Sequence, residues 1–314
     1  MNGVAEIQGL AGVTLPAKPL HLAIGMFDGV HLGHRSVIEA AVQSARRSGG
    51  VAAVLTFWPH PSALFRPQDP TRMIQDPTMK TQVLRSLGVD FVITENFTAE
   101  LAQIAAEEFL PWLRRKVPTL AAVYVGENFR YGAGRRGDVT QLLAAARALG
   151  LTVFSAPRVN FDGEPISSTR IRGLLEAGEM SAANALLGYS YFATGVITPG
   201  KRLGRGIGFP TVNLGWSPAL RPRFGVYTVR VRGAKAAGSQ PGVANYGLRP
   251  TVEQATAPRL ETHLLGECAF DAGDEITVEW LRFLRPEMKF AGVDALRDQI
   301  AKDRATAAVD FSLR

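Results

Sequence analysis

Three of the chain's five histidines fall in two short segments, Gly25-Met26-Phe27-Asp28-Gly29-Val30-His31-Leu32-Gly33-His34 and Thr56-Phe57-Trp58-Pro59-His60-Pro61. Each segment follows an apolar run that reads as a buried strand, so each lies in a loop at a strand's carboxyl end. In the first, His31 and His34 flank the start of a helix, where free N–H groups and the helix dipole favour an anion. The glycines let a nucleotide approach the backbone closely. This combination suits transfer of an α-phosphoryl group: imidazoles stabilise charge on the phosphate in flight and orient the departing pyrophosphate, without a covalent intermediate. A two-histidine metal site and two satisfied turn histidines are the alternatives. No third ligand clusters nearby, which weighs against the metal. In an open α/β sheet ligands sit outside the strands' carboxyl ends, so three imidazoles facing one crevice are hard to explain by packing.

Other segments carry chemistry of the same kind. Ile166-Ser167-Ser168-Thr169-Arg170-Ile171-Arg172 offers hydroxyls at a helix N-cap together with guanidinium groups, an anion cradle or simply a capped surface helix. Gly204-Arg205-Gly206-Ile207-Gly208-Phe209-Pro210-Thr211-Val212-Asn213 is dense in glycine and then presents two oxygen-bearing side chains two residues apart. On an extended backbone Thr211 and Asn213 point to one side and can reach one hard cation and its phosphates. Glu261 shares a strand face with His263 and is either a base for a hydroxyl nucleophile or a solvent-facing glutamate. Two decoys are set aside. Gly132, Gly134 and Gly137 spell a dinucleotide fingerprint, but six residues separate them from the preceding strand. Gly195, Gly200 and Lys201 resemble a phosphate-binding loop, but Arg202 replaces the magnesium-ligating hydroxyl and no helix follows.

The elements that position these residues follow from pattern. The 314 residues are 46% hydrophobic and 20% charged, an ordinary globular composition long enough for two domains. The net charge of +7 is compatible with anionic partners, but the basic residues are scattered. One cysteine excludes a disulfide framework. With neither a secretory-type start nor an apolar run of membrane length, the expected location is the cytoplasm. In the first half, strands at 20–24, 51–57, 90–94, 120–125 and 151–154 alternate with helices from about His34, over 78–87, over 99–117 with an interruption at Pro111, and over 140–149. That alternation predicts an α/β, doubly wound parallel sheet. After about Leu187 come short β runs at 191–197, 226–231, 242–246, 260–265 and 276–283, then a helix over 293–304. These predict a small antiparallel β-barrel with a C-terminal helix. The boundary is placed at 184/185.

With these motifs in order, the first half resembles the HIGH-type nucleotidyltransferases, and the whole chain resembles the bacterial bifunctional riboflavin kinase/FAD synthetases. Gly126-Glu127-Asn128-Phe129-Arg130-Tyr131-Gly132 with Arg136-Gly137-Asp138 is similar to that family's flavin-side motif. Gly-x-Pro-Thr-x-Asn at 208–213, Glu261-Thr262-His263-Leu264-Leu265, Val243–Thr251 and Gln299, Ile300 and Asp303 are similar to its kinase half. The resemblance implies a Rossmann-like FMN adenylyltransferase domain over 1–184 and a riboflavin kinase barrel over 185–314. It implies catalytic roles for His31, His34 and Glu261. Gly25, Phe27, Asp28, Gly33, Ser167, Thr169, Arg170, Gly200, Gly204 and Gly208 would meet ATP phosphates. Phe57, His60, Pro61 and Asn128 would line the flavin side, and Thr211 and Asn213 would hold Mg2+. The partners implied are riboflavin, FMN, FAD and ATP, with neither nucleic acid nor membrane among them; homo-oligomer formation stays open. The chain departs from the family pattern at Asn128, where Asp is common, and at Tyr131, Val212, Gly266 and Asp271-Ala272-Gly273. Two rivals are a nucleotidyltransferase for another phosphorylated alcohol and an RNA-binding barrel; the β half has few of the stacked aromatics the latter needs.

Overall fold

The computed structural model describes residues 5–199, 211–248 and 258–312. Gly200, Gly204, Gly208 and the stretch 249–251 lie outside the described residues. The backbone divides into two compact units, Met1–Ser168 and Thr169–Arg314.

In the first unit, β1 (Ala5–Gln8) and β2 (Leu20–Ile24) precede helix α1 (Leu32–Ser48) and β3 (Val51–Trp58). Strands β2 and β3 carry almost no polar residue, as expected when a sheet is covered on both faces, and β2 is buried throughout. Val37, Ile38, Ala41, Val42 and Ala45 recur at helical spacing on α1 and are its buried face. Gly49, at φ 66°, closes the helix by donating to the Ala45 carbonyl. Then come α2 (Pro61–Phe65), α3 (Pro77–Ser86), β4 (Phe91–Asn96), α4 (Ala99–Ala102), α5 (Ala106–Lys116), β5 (Leu120–Gly126), α6 (Val139–Ala148) and β6 (Thr152–Ala156). The six strands form one parallel sheet in the order β1-β4-β3-β2-β5-β6. Strand β2 is followed in sequence by neighbours on one side and later, through β5, by a neighbour on the other. The order therefore reverses beside β2, and the loops after β2 and β5 open onto one crevice. Phe109, Leu110 and Leu113 of α5 and Leu142 of α6 fill the core with Leu22, Ile24, Leu55, Ile93, Val123 and Val125.

Two details depart from the sequence-based expectation. The helical stretch 99–117 does break, but at 103–105 and not at Pro111, which sits inside α5. The Ile104 carbonyl accepts from Ala133 N–H (2.7 Å) and so is committed to a distant loop. Strand β1 was not foreseen: it is a short, mostly exposed edge strand whose alternation is too weak to read.

A two-stranded hairpin, β7 (Asn160–Phe161) with β8 (Glu164–Pro165), leads to α7 (Ser168–Ala177) and α8 (Met180–Leu187). The second unit then continues with β9 (Phe192–Thr198), β10 (Thr211–Leu214), β11 (Gly225–Gly233), β12 (Gln240–Gly247), β13 (Arg259–Leu264), β14 (Glu275–Arg285) and α9 (Val293–Ser312). Its six strands close into an antiparallel barrel in the order β10-β13-β12-β11-β14-β9. Five buried aromatics, Tyr191, Trp216, Tyr227, Tyr246 and Trp280, pack edge-to-face or tilted, with Tyr227 and Trp280 centroids 4.5 Å apart. Helices α7 and α8 are tied to this unit: Leu175 O accepts from Arg223 N–H (3.0 Å) and Asn184 Nδ2 donates to Trp280 O (2.7 Å).

Helix α9 runs past the expected Arg304 to Ser312 and lays Ala307 against Val226 and Val243. Two aspartates seven residues apart clamp it to β14. Asp303 accepts from Arg285 in bidentate fashion (2.8–3.1 Å) and Asp310 accepts from Arg282 (2.9–3.0 Å). The Arg285–Asp303 pair is nearly buried, so removing one partner strands a charge. Asp303→Ala should destabilise the second unit by about 3 kcal/mol, with Gln299 unable to replace the charge. Urea unfolding followed by tryptophan fluorescence measures this, and an unchanged midpoint would refute the clamp.

Candidate active site

The turn after β2 is conformationally strained. Phe27 (φ 47°) and Val30 (φ 37°) adopt left-handed backbone, which a β-branched residue enters only under constraint, at a cost of about 1–3 kcal/mol each. The constraint is visible. The Asp28 carboxylate, 2% exposed, accepts the Ile74 N–H (2.9 and 3.2 Å), and the Asp28 carbonyl accepts from Ser168 Oγ (2.9 Å). The Met26 carbonyl accepts from Lys80 Nζ (2.8 Å) and from Thr56 Oγ1 (3.0 Å). Gly25 leaves room for the Phe27 ring: a Cβ there would stand 3.0 Å from it, so the ring would have to shift.

His31 is the N-cap of α1: its Nδ1 accepts the His34 backbone N–H (3.3 Å). An accepting Nδ1 carries no proton, so neutral His31 bears its hydrogen on Nε2 and is a donor there. The two imidazoles stack with centroids 3.6 Å apart, and the Phe27 ring meets His34 edge-on. A Cβ on Gly33 would press on the His31 ring at 3.3 Å. Burial pushes the His31 imidazole down to about 4. His34 is held well below its ordinary 6.5 by burial, then by His31 and by Lys80. Both rings are therefore neutral at pH 7. His34 Nδ1 is buried with no hydrogen-bond partner among the described residues.

Two cavities open beside this turn. One, about 230 Å³, is lined by Phe27, His31, Gly33 and His34 on one side and by Arg158, Val159 and Ile166 on the other. The second, about 620 Å³ and mainly apolar, is lined by Phe57, His60, Pro61, Phe65, Phe97, Tyr131 and Arg135 among others. Gly25, Met26, Asn128 and Phe129 line both, so they form the shared wall. His60 caps α2, its Nδ1 accepting from Ser62 N–H (3.1 Å) beside Ser62 Oγ (2.8 Å). Asn128 Oδ1 accepts from Arg158 (2.8 Å), which also pairs with Glu127 (3.3 Å).

Thus Gly25, Phe27, Gly33, His31 and His34 surround one cavity, while Phe57, His60, Pro61 and Asn128 line the other. Asp28 is buried under the turn and bonded to Ile74, so it shapes the turn from inside. Ser167 precedes α7; Thr169 and Arg170 stand in that helix's first turn and fall in the second unit. Sequence reading missed Lys80 and Arg158; Thr56 and Ser168 lie within segments it singled out but were given no role of their own. The lysine's one available signal was a cation at a helical position otherwise occupied by the buried residues Met79, Val83 and Leu84.

In the barrel, Asn213 lies directly across from Glu261, which lies across from Asn245 on the next strand; Thr211 lies across from His263. Successive residues alternate faces, so Thr211, Asn213, Asn245, Glu261 and His263 share one side of the sheet. Asn245 Nδ2 reaches Glu287 (3.5 Å).

A strained strand-to-helix turn bearing two imidazoles at the switch point of a parallel sheet defines a nucleotidyltransferase-type unit, here joined to a closed barrel. Residues 16–170 match the FAD synthetase family and residues 187–311 the riboflavin kinase family. The chain is 36% identical over 298 residues to the bifunctional riboflavin kinase/FMN adenylyltransferase of Escherichia coli K12, covering 95% of each. It is 34% identical to those of Listeria monocytogenes and Bacillus subtilis, covering 93% of this chain and 92% of theirs. A crystal structure described as a macrolide-efflux protein from Streptococcus pneumoniae has the same fold: TM-score 0.86 and 26% identity over 98% of this chain and 99% of that one. Among the described residues no helix is long and apolar enough to cross a membrane. The chain belongs to the bifunctional riboflavin kinase/FMN adenylyltransferase family, and it is an enzyme with an FAD synthetase domain and a riboflavin kinase domain.

The depressed imidazoles have a pH consequence. Between about pH 4 and 6.5 the unfolded chain binds protons at His31 that the folded chain does not, so the first unit loses stability as pH falls through that window. In NMR titration the His31 ring signals should stay at their neutral positions down to about pH 5; a midpoint near 6.5 would contradict the buried, neutral pair.

Proposed function

We propose that the first unit joins FMN to the adenylyl group of ATP and that the barrel makes the FMN. The observation that carries the first assignment is the pair of adjoining cavities. The smaller, bearing the histidines, suits the nucleotide phosphates; the larger, apolar and ringed by Phe57, Phe97, Phe129 and Tyr131, suits a flat tricyclic ring. Their shared wall brings the flavin's phosphate and the α-phosphorus of ATP together. A phosphate oxygen of FMN attacks that phosphorus, the bond to the β-phosphate oxygen breaks, and its electron pair leaves with pyrophosphate. The Nε2–H of neutral His31 donates to the developing charge, and His34, stacked on it, keeps the ring in place. Gly25, Phe27 and Gly33 allow the phosphates close to the turn; Ser167, Thr169 and Arg170 hold the leaving pyrophosphate. Phe57, His60, Pro61 and Asn128 seat the flavin.

In the barrel, Glu261 accepts the proton of the ribityl 5′-hydroxyl, whose oxygen attacks the γ-phosphorus of ATP, giving FMN and ADP. Gly200, Gly204 and Gly208 belong to the glycine-rich segment assigned to the phosphates. The oxygen donors of Thr211 and Asn213, on the face that bears Glu261, fit a hard cation, and Mg2+ held there would neutralise phosphate charge. The adenylyltransferase function is assigned to residues 1–184 and the kinase to 185–314. A single cysteine fits a reducing, cytoplasmic location.

Chromatography of flavins formed from riboflavin, ATP and magnesium tests both halves. Glu261→Gln should abolish FMN formation yet convert supplied FMN to FAD at the wild-type rate. His31→Ala should do the reverse, accumulating FMN with FAD synthesis reduced by about 10²–10³-fold. If both steps fail together in either folded variant, the two-site assignment is wrong.

A further inference from the structure

We propose that Lys80 is a positioning residue for adenylyl transfer: from beneath the β2–α1 turn it pins the Met26 carbonyl inward and so turns the Phe27 amide toward the nucleotide phosphates. The inference rests on the adenylyltransferase reading of the first unit.

Lys80 is 3% exposed, an unusual position for a cation, and it lies on α3, outside every motif that marks the site in sequence. Its ammonium donates to Met26 O (2.8 Å) and approaches Thr56 Oγ1 (3.2 Å), which donates to the same carbonyl (3.0 Å). Two donors on one carbonyl fix the Met26–Phe27 peptide plane. In a trans peptide the C=O and the following N–H point in opposite directions. Holding Met26 O toward Lys80 therefore aims the Phe27 N–H away from it. That amide donates to no described residue, and Phe27 lines the histidine-bearing cavity. An unused backbone donor at the mouth of a helix-start turn is an anion ligand.

The strain in the turn explains why a cation is needed there. With Phe27 and Val30 left-handed, the peptide between Met26 and Phe27 relaxes unless something holds it. Ile74 and Ser168 hold Asp28, one residue further on; Lys80 and Thr56 hold Met26. Burial pushes the Lys80 ammonium down to about 8, the buried Asp28 carboxylate opposes that shift, and Lys80 in turn helps to keep the His34 imidazole neutral. Lys80 lines neither cavity, so it has no direct contact to offer either substrate there.

The test uses the full chain and FMN-to-FAD conversion at varied ATP and FMN, with riboflavin phosphorylation as an internal control. Lys80→Met is expected to lower kcat/KM for ATP by about 10- to 100-fold, while FMN affinity, measured by flavin fluorescence quenching, and kinase activity stay at wild-type values. A merely structural lysine would impair both substrates together. Thr56→Val, which removes only the second donor, is expected to give a smaller defect of about 3- to 10-fold, confined again to ATP. Wild-type ATP kinetics in Lys80→Met would overturn the proposal while leaving the adenylyltransferase reading intact. Should Lys80→Met lose FMN binding as well, Thr56→Val decides, and unchanged ATP kinetics there would equally overturn it. If the wild-type chain itself makes no FAD from FMN and ATP, the reading of the unit fails, and this inference with it.

Discussion

A parallel sheet whose strand order reverses beside one strand leaves a crevice that no crossover helix covers, and everything in the first unit is arranged around that gap. The order β1-β4-β3-β2-β5-β6 puts the reversal between β2 and β5. Their loops carry Gly25–His31 and Gly126–Gly132, which together supply much of both cavities. The β2 loop has to pass from strand to helix within seven residues while lining both cavities. It does so by accepting two left-handed non-glycine residues and by burying Asp28 as an internal strut for Ile74. Neither distortion would survive in a solvated loop. The interior of the α/β layer makes both affordable because the turn's carbonyls find donors on α3, β3 and the start of α7.

Electrostatics in this crevice follow from its dryness. Two imidazoles stacked at 3.6 Å, with a buried lysine acting on one of them, cannot both hold protons at neutral pH. Neutrality fits the role proposed for the pair. Opposite charge raises an imidazole's affinity for a proton, so a triphosphate bound there, as proposed, would counteract the desolvation and the influence of Lys80. The site is then neutral when empty, which limits the cost of burying it, and gains donor strength where negative charge collects. The N-terminus of α1, capped by His31, adds fixed partial positive charge that no proton has to supply.

The architecture was legible in the sequence to a large degree, because its signals are local. Apolar runs of five to eight residues followed by helical periodicity mark β2, α1, β3, β5 and α6 to within a few residues. Glycine at 49 marks a helix end, and turn-bounded β runs mark the barrel. What escaped was non-local. Strand β1 has too few apolar residues to announce itself and exists only because β4 offers an edge. The break at 103–105 depends on Ile104 being claimed by Ala133, nearly thirty residues away, whereas Pro111, the louder local signal, sits inside a helix that tolerates it. The same division holds for the site. His31, His34 and His60 stand out by type and spacing, but Lys80 reads as one more helix lysine until α3 is seen packed beneath the turn.

In the barrel the decisive quantity is register. Asn213, Glu261 and Asn245 form a row across three strands that are adjacent in space but not in sequence order, and closure of the sheet leaves the row no freedom to slide. A slip of one residue in β10 would turn Thr211 and Asn213 to the opposite face and bring Val212 opposite Glu261. The buried faces resist that slip: Leu214 and Tyr246 flank Leu260, and all three are at most 2% exposed. The aromatic core therefore does more than stabilise the barrel, since it holds the row of polar side chains opposite one another on the other face. Register alone thus brings Thr211 and Asn213 of one strand and Glu261 of another, some fifty positions apart, onto one face of the sheet, which is the arrangement the proposed kinase chemistry would use.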